Sequence, residues 1–209
     1  ASFFQYYGSG LVWPSLLNSF SFVSQLYFIT VLMALLLYDL KHMELPDKIV
    51  LPGLLTAFVA VLVKIALGVW EFRDNTARLP IGKELLSDAN FVSSHVWEIA
   101  SPHVYGALAG LVLAAIFYVI VLLSRERAMG GGDIKLALLL GLILPWPYLV
   151  PAMYVGFILG AVVGVALVVV NRKKMKQLIP LAPFLVAGTL GAIFFGNELF
   201  RFLLSVKIF

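Results

Sequence analysis

Two aspartates stand where a charge is costly. Asp39 ends the apolar run Leu35-Leu36-Leu37-Tyr38, and Asp133 follows three glycines in Met129-Gly130-Gly131-Gly132-Asp133-Ile134-Lys135. Ionisable groups at the edge of hydrocarbon are rare unless they do something. Two carboxyls that share one site cannot both ionise easily, so one keeps its proton while the other is anionic. Such a pair supplies a general base and a general acid at neutral pH. The base takes a proton from a water that attacks a peptide carbonyl. The acid protonates the carbonyl oxygen and later helps the amine leave. Asp39 closes a helix, where the dipole disfavours an anion, and Asp133 opens one, where the dipole favours it. Helix polarity therefore makes Asp39 the more easily protonated partner, although a dyad titrates as a unit. Taken singly, Asp133 also reads as a plain helix N-cap after a turn, and Asp39 as an interfacial loop acid. Only the pair points to chemistry.

The elements that must position the pair are membrane spans. The 209 residues are 62% hydrophobic and 12% charged, with a mean hydropathy of +1.01. A soluble domain is about half apolar and a quarter charged. The fold class expected is all-α: a polytopic membrane protein, a bundle of about six transmembrane helices in one domain. A span needs about 20 mostly apolar residues. Six segments qualify: Leu16–Tyr38, Ile49–Trp70, Val104–Leu123, a short Ile134–Tyr148 closed by Pro145-Trp146-Pro147, Met153–Val170 and Ile179–Gly196. Residues 197–209 read as an interfacial tail. Glycines at 106 and 110, and at 156, 160 and 164, form small-residue stripes for close helix packing.

Nine of the 15 basic residues fall in three short loops, 39–48, 124–135 and 171–177. The positive-inside rule puts those loops in the cytoplasm and residues 71–102 in an extracytoplasmic loop. Asp39 and Asp133, 94 positions apart, then share one membrane face. The run Arg172-Lys173-Lys174-Met175-Lys176 reads as a topology signal and a contact for anionic lipid. The net charge of +4 has the same topological origin and does not call for nucleic acid. Lys64, inside the second span, reads as a lysine that snorkels to the interface. Asp47, after Pro46, reads as an N-cap of the second span. The chain has no cysteine, which excludes thiolate chemistry, and its three histidines show no metal-ligand spacing. No metal or other cofactor is expected. No secretory signal is visible at the start, and a chain that begins without methionine is expected to continue upstream.

The residues Tyr38-Asp39-Leu40-Lys41-His42-Met43-Glu44-Leu45-Pro46-Asp47, followed by Met129-Gly130-Gly131-Gly132-Asp133-Ile134-Lys135-Leu136, resemble the type IV prepilin peptidases. These are GxGD-type aspartic proteases of the prokaryotic cytoplasmic membrane. Ile179-Pro180-Leu181-Ala182-Pro183-Phe184 resembles the family's Pro-x-x-Pro segment before the last span. The likeness runs from about residue 16 onward and implies one membrane-embedded peptidase domain over 1–209. It implies removal of a short basic leader, usually just after a glycine, from prepilins or pseudopilins that carry an N-terminal transmembrane helix. The active site would face the cytoplasm. Carried over by position, the catalytic pair is Asp39 and Asp133, and Gly130, Gly131 and Gly132 are motif and substrate-side residues. Lys135 would hold a substrate carbonyl or tune Asp133, or else simply flank the span. Glu44 and Glu126 would attract the basic leader.

Many members of that family also carry an upstream tetracysteine segment and N-methylate the mature pilin with S-adenosylmethionine. Here no such segment is present, which leaves either a longer natural chain or a peptidase-only form. Three rival readings stand beside this one. A presenilin or signal-peptide-peptidase type enzyme shares the Tyr-Asp and GxGD pair, but six spans and no Pro-Ala-Leu triplet speak against it. A proton-coupled transporter needs acids near the midplane and broken helices in matching halves. A non-catalytic scaffold would simply carry two interfacial acids.

Overall fold

The computed structural model describes residues 15–124, 130–170 and 181–205. Residues 125–129 and 171–180, with Met129, Glu126 and the basic run at 172–176, lie outside the described residues, as do Ile179 and Pro180 of the Pro-x-x-Pro segment. The described chain is an all-α polytopic membrane protein. Its helices are α1 (Leu16–His42), α2 (Asp47–Ala77), α3 (Gly82–Ser87), α4 (Ala89–Ser124), α5 (Gly132–Ile143), α6 (Leu149–Val169) and α7 (Ala182–Ser205). Helices satisfy every backbone group within the segment, which hydrocarbon requires. Five of them, α1, α2, α4, α6 and α7, are long and apolar enough to cross a membrane. Their outer faces carry large apolar side chains such as Phe22, Leu55, Leu62, Leu111 and Val165, all more than half exposed. In a bilayer those faces meet lipid rather than water.

The expected fourth span is the exception. Helix α5 stops at Ile143, and its 12 residues reach only about 18 Å, against a hydrocarbon core of about 30 Å. Residues 144–148, with both prolines, continue without helix. The helix is nevertheless the centre of the bundle. Leu136, Ala137, Leu139 and Leu140 are completely buried, against Leu32, Leu35, Val50, Phe117 and Leu185.

The segment 71–102 is also not an irregular loop. Helix α2 runs on to Ala77 and α4 begins at Ala89, so most of the segment is helical extension, joined by α3. The sequence signal ends at Trp70 because hydropathy falls there, not because the helix does. The tail after Gly196 is likewise helical to Ser205, after a break at Phe195 (φ −126°, ψ 23°). Glu71 in the α2 extension accepts the Leu17 N–H at 2.9 Å, satisfying one of the free donors that begin α1.

Glycine contacts set the helix directions. A Cβ on Gly110 would lie 2.7 Å from Gly141 Cα, and one on Gly106 would meet Leu144 O at 2.5 Å, so α4 and α5 run antiparallel with backbones in direct contact. Gly156 and Gly160 face Phe184, and Gly188 faces Ala152, which makes α6 and α7 antiparallel too. The small-residue stripes at 106–110 and at 156–160 thus serve packing, as the sequence suggests. Gly68 meets Leu17 while Gly53 meets Val31, so α1 and α2 are also antiparallel. The end of α1 and the starts of α2 and α5 consequently gather at one end of the bundle. The start of α1 and the ends of α2 and α5 gather at the other.

Candidate active site

Asp39 lies one turn before the end of α1. The helix continues past Tyr38 to His42 and closes at Met43, which takes a left-handed conformation (φ 55°). The Met43 N–H donates to the Asp39 carbonyl at 2.8 Å, and the Tyr38 ring stacks on His42 at 4.3 Å. Met43 has the backbone usually left to glycine at a helix end, and it turns the chain sharply toward α2. Asp39 itself is 5% exposed. Its Oδ2 is buried without a hydrogen-bond partner among the described residues, an expensive state for a polar group unless it has work to do.

Asp133 is in the first turn of α5, and its N–H donates to the Gly130 carbonyl at 3.2 Å. It lies close enough to Asp39 for the charge on that carboxylate to act on it. The structure therefore brings together the two acids that are 94 positions apart in sequence. Two contacts between the α1–α2 turn and the start of α5 explain how. Gly132 packs under Leu45, where an added Cβ would sit 2.9 Å from the Leu45 Cβ. Lys135 Nζ donates to Asp47 Oδ1 in an ion pair, with both side chains partly exposed.

The three glycines differ from one another. Gly132 is a close-packing residue. Gly130 and Gly131 are exposed, and a Cβ added at either would meet nothing within 4 Å. Gly131 has ordinary right-handed helical angles (φ −62°, ψ −18°). What the run supplies at Gly132 is room for Leu45, and at 130–131 an open backbone beside the acid.

One expectation changes. Asp47 does not cap α2: the N-cap position is Pro46 without a side-chain bond, and the Asp47 carboxylate is turned to Lys135. Lys135, through that pair, ties α5 to the α1–α2 turn. The pairing crosses 88 positions, so no local pattern announces it. Among the described residues, no three His, Cys, Asp or Glu side chains cluster as a metal site.

A cavity of about 540 Å³ lies away from the acids, lined by the first turns of α1, the second half of α2, the first half of α4, residues 143–146 with Tyr148, and the second half of α7. Gln25 is its lining residue of α1 nearest in sequence to Asp39, and 14 residues of helix separate them by roughly 21 Å. Lys64 is one of the residues that line this cavity.

Fold and site together define a polytopic helical membrane protein that holds two neighbouring carboxyls at one end of its bundle. Residues 89–165 match the type IV leader peptidase family. Over 170 residues the chain is 32% identical to a prepilin leader peptidase/N-methyltransferase of Pseudomonas putida, covering 81% of this chain and 48% of that protein. It is 30% identical over 184 residues to one of Legionella pneumophila, covering 86% and 54%. With one of Bacillus subtilis it shares 29% over 104 residues, 50% and 42% of the two chains. These matches show the likeness to the type IV leader peptidases that the motifs carry. The chain spans about half the length of the curated relatives it matches. No solved structure matches it.

Proposed function

We propose that the chain is an aspartic endopeptidase that removes the short basic leader of prepilins or pseudopilins, with Asp39 and Asp133 as the catalytic pair. The observation that carries this reading is the meeting of two acids from separate helices, one of them buried with an unpartnered oxygen. Among the described residues, neither carboxyl has a structural bond that explains its place. The pair holds one proton between its carboxyls. One carboxyl takes a proton from the attacking water, and the other donates to the scissile carbonyl oxygen and then to the leaving amine. Gly130 and Gly131 leave the space beside Asp133 open to a substrate backbone. Glu44, exposed in the α1–α2 turn, adds negative charge near the path of a basic leader.

The three short loops rich in Lys and Arg favour placing this end of the bundle in the cytoplasm and the 71–102 hairpin outside. A leader would then be cut where it meets the membrane surface. The position of both acids at helix ends favours a peptidase over a proton relay, which needs its acids near the midplane. The proposal covers peptide cleavage alone, within a single domain over 1–209. Co-expression with a prepilin tests it. Leader removal is lost in Asp39→Asn and in Asp133→Asn while the protein accumulates to the wild-type level. Processing that persists in both variants would sink the reading.

A further inference from the structure

The cavity at the far end of the bundle has a chemistry of its own. Helix α5 stops short, and residues 144–148 continue as a non-helical turn whose Trp146 N–H donates to the Pro102 carbonyl. Irregular backbone at membrane depth persists only where protein buries it or where it lines a cavity. Here Leu144, Pro145, Trp146 and Tyr148 line one. Its polar groups are graded by depth. Glu98 is exposed at the mouth. Lys64 is part-buried, forms no ion pair among the described residues, and lies near enough to His103 for its charge to act on that ring. Ser21 is 4% exposed, and its Oγ is buried without a hydrogen-bond partner among the described residues. A cation, an imidazole and an unpartnered buried hydroxyl thus converge behind an exposed carboxylate, among apolar side chains such as Ile99 and Ile193.

We infer that this cavity binds a phospholipid headgroup that carries both a phosphate and an ammonium. Lys64 holds the phosphate, with Ser21 and His103 as hydrogen-bond partners. Glu98 receives the ammonium N–H groups at the mouth. The order from outside inward, ammonium then phosphate then hydrocarbon, is the order of such a lipid in a leaflet. A carboxylate at the mouth disfavours a purely anionic headgroup. A volume of about 540 Å³ is within the range of small-ligand sites, roughly 300–1,000 Å³. The inference does not rest on the proposed peptidase reaction.

Native mass spectrometry of the full chain, released from detergent with defined lipids, tests it. Phosphatidylethanolamine should remain bound in preference to phosphatidylglycerol, whose headgroup has no ammonium, and to phosphatidylcholine, whose ammonium has no N–H. Lys64→Met should lower its occupancy about tenfold or more, as loss of a charge-assisted contact does, and Lys64→Arg should restore it. Glu98→Gln, at an exposed position that folding tolerates, should bring phosphatidylglycerol level with phosphatidylethanolamine. Equal retention by Lys64→Met and wild type would overturn the inference. So would an unchanged lipid preference in Glu98→Gln, or complete displacement of lipid by millimolar inorganic phosphate, which would make this a site for free phosphate.

Discussion

The two ends of the bundle handle charge in opposite ways. At one end, Asp39 and Asp133 lie near enough for one charge to act on the other, beside a tightly packed seam with Gly132 against Leu45 and Lys135 on Asp47. At the other, Lys64 and His103 face an open cavity of about 540 Å³. The same helix, α5, makes the difference. Its first turn docks closely on the α1–α2 turn, and its early stop at Ile143 leaves the opposite end unfilled. A short central helix can thus deliver an acid to one membrane face and leave room for a ligand at the other.

The contact that both ends share is the α4–α5 crossing, so breaking it has the largest effect. Gly141→Leu would drive a side chain into the Gly110 backbone. Overpacking usually costs about 1–3 kcal/mol, and more where backbone cannot yield. The variant should fail to accumulate as a monodisperse species by size-exclusion chromatography, with cleavage and lipid retention lost together.

A smaller change separates the ends. Gly132→Ala puts a methyl 2.9 Å from Leu45 Cβ and should lift Asp133 away from Asp39. Leader cleavage should fall at least about tenfold, the usual consequence of ångström-scale misplacement, while lipid retention at the far end is unchanged. Leu45→Ala in the same chain should recover part of the loss. By contrast, Gly131→Ala meets nothing within 4 Å. Its melting temperature should match wild type, and any loss of cleavage should appear as a raised KM, the sign of a crowded substrate path.

The smallest effect belongs to the Lys135–Asp47 pair. Both side chains are partly exposed, and exposed pairs contribute about 0.2–1 kcal/mol. Lys135→Met and Asp47→Asn should each shift the melting temperature only slightly. A double-mutant cycle read by cleavage rate should show the two effects to be less than additive.

How much of this is legible in the sequence follows from the range of each interaction. The helical membrane class, the start of α1 at Leu16 and the glycine stripes at 106–110 and 156–160 are readable because hydropathy and small-residue spacing are local. The acids stand out because a charge after Leu35-Leu36-Leu37 has a visible cost. The true length of α2 and α4 is hidden, since polar helix beyond hydrocarbon looks like loop. The stop of α5 is signalled by Pro145 and Pro147, yet the apolar residues around them suggest a span. The Lys135–Asp47 pair and the Gly132–Leu45 contact depend on tertiary approach and leave no local trace. The place of Lys64 is hidden for the same reason: nothing near it in sequence says that Ser21 and His103 share its cavity.

The central claim is that two acids from α1 and α5 act as one catalytic unit. Its most direct measurement is leader removal from a prepilin by purified Asp39→Asn, Asp133→Asn and the double variant in matched amounts. Each single variant should lose essentially all activity, and the double variant should be no worse than either, because groups that act as a unit are grossly non-additive. Cleavage near the wild-type rate in either single variant, with the protein folded, would contradict the account.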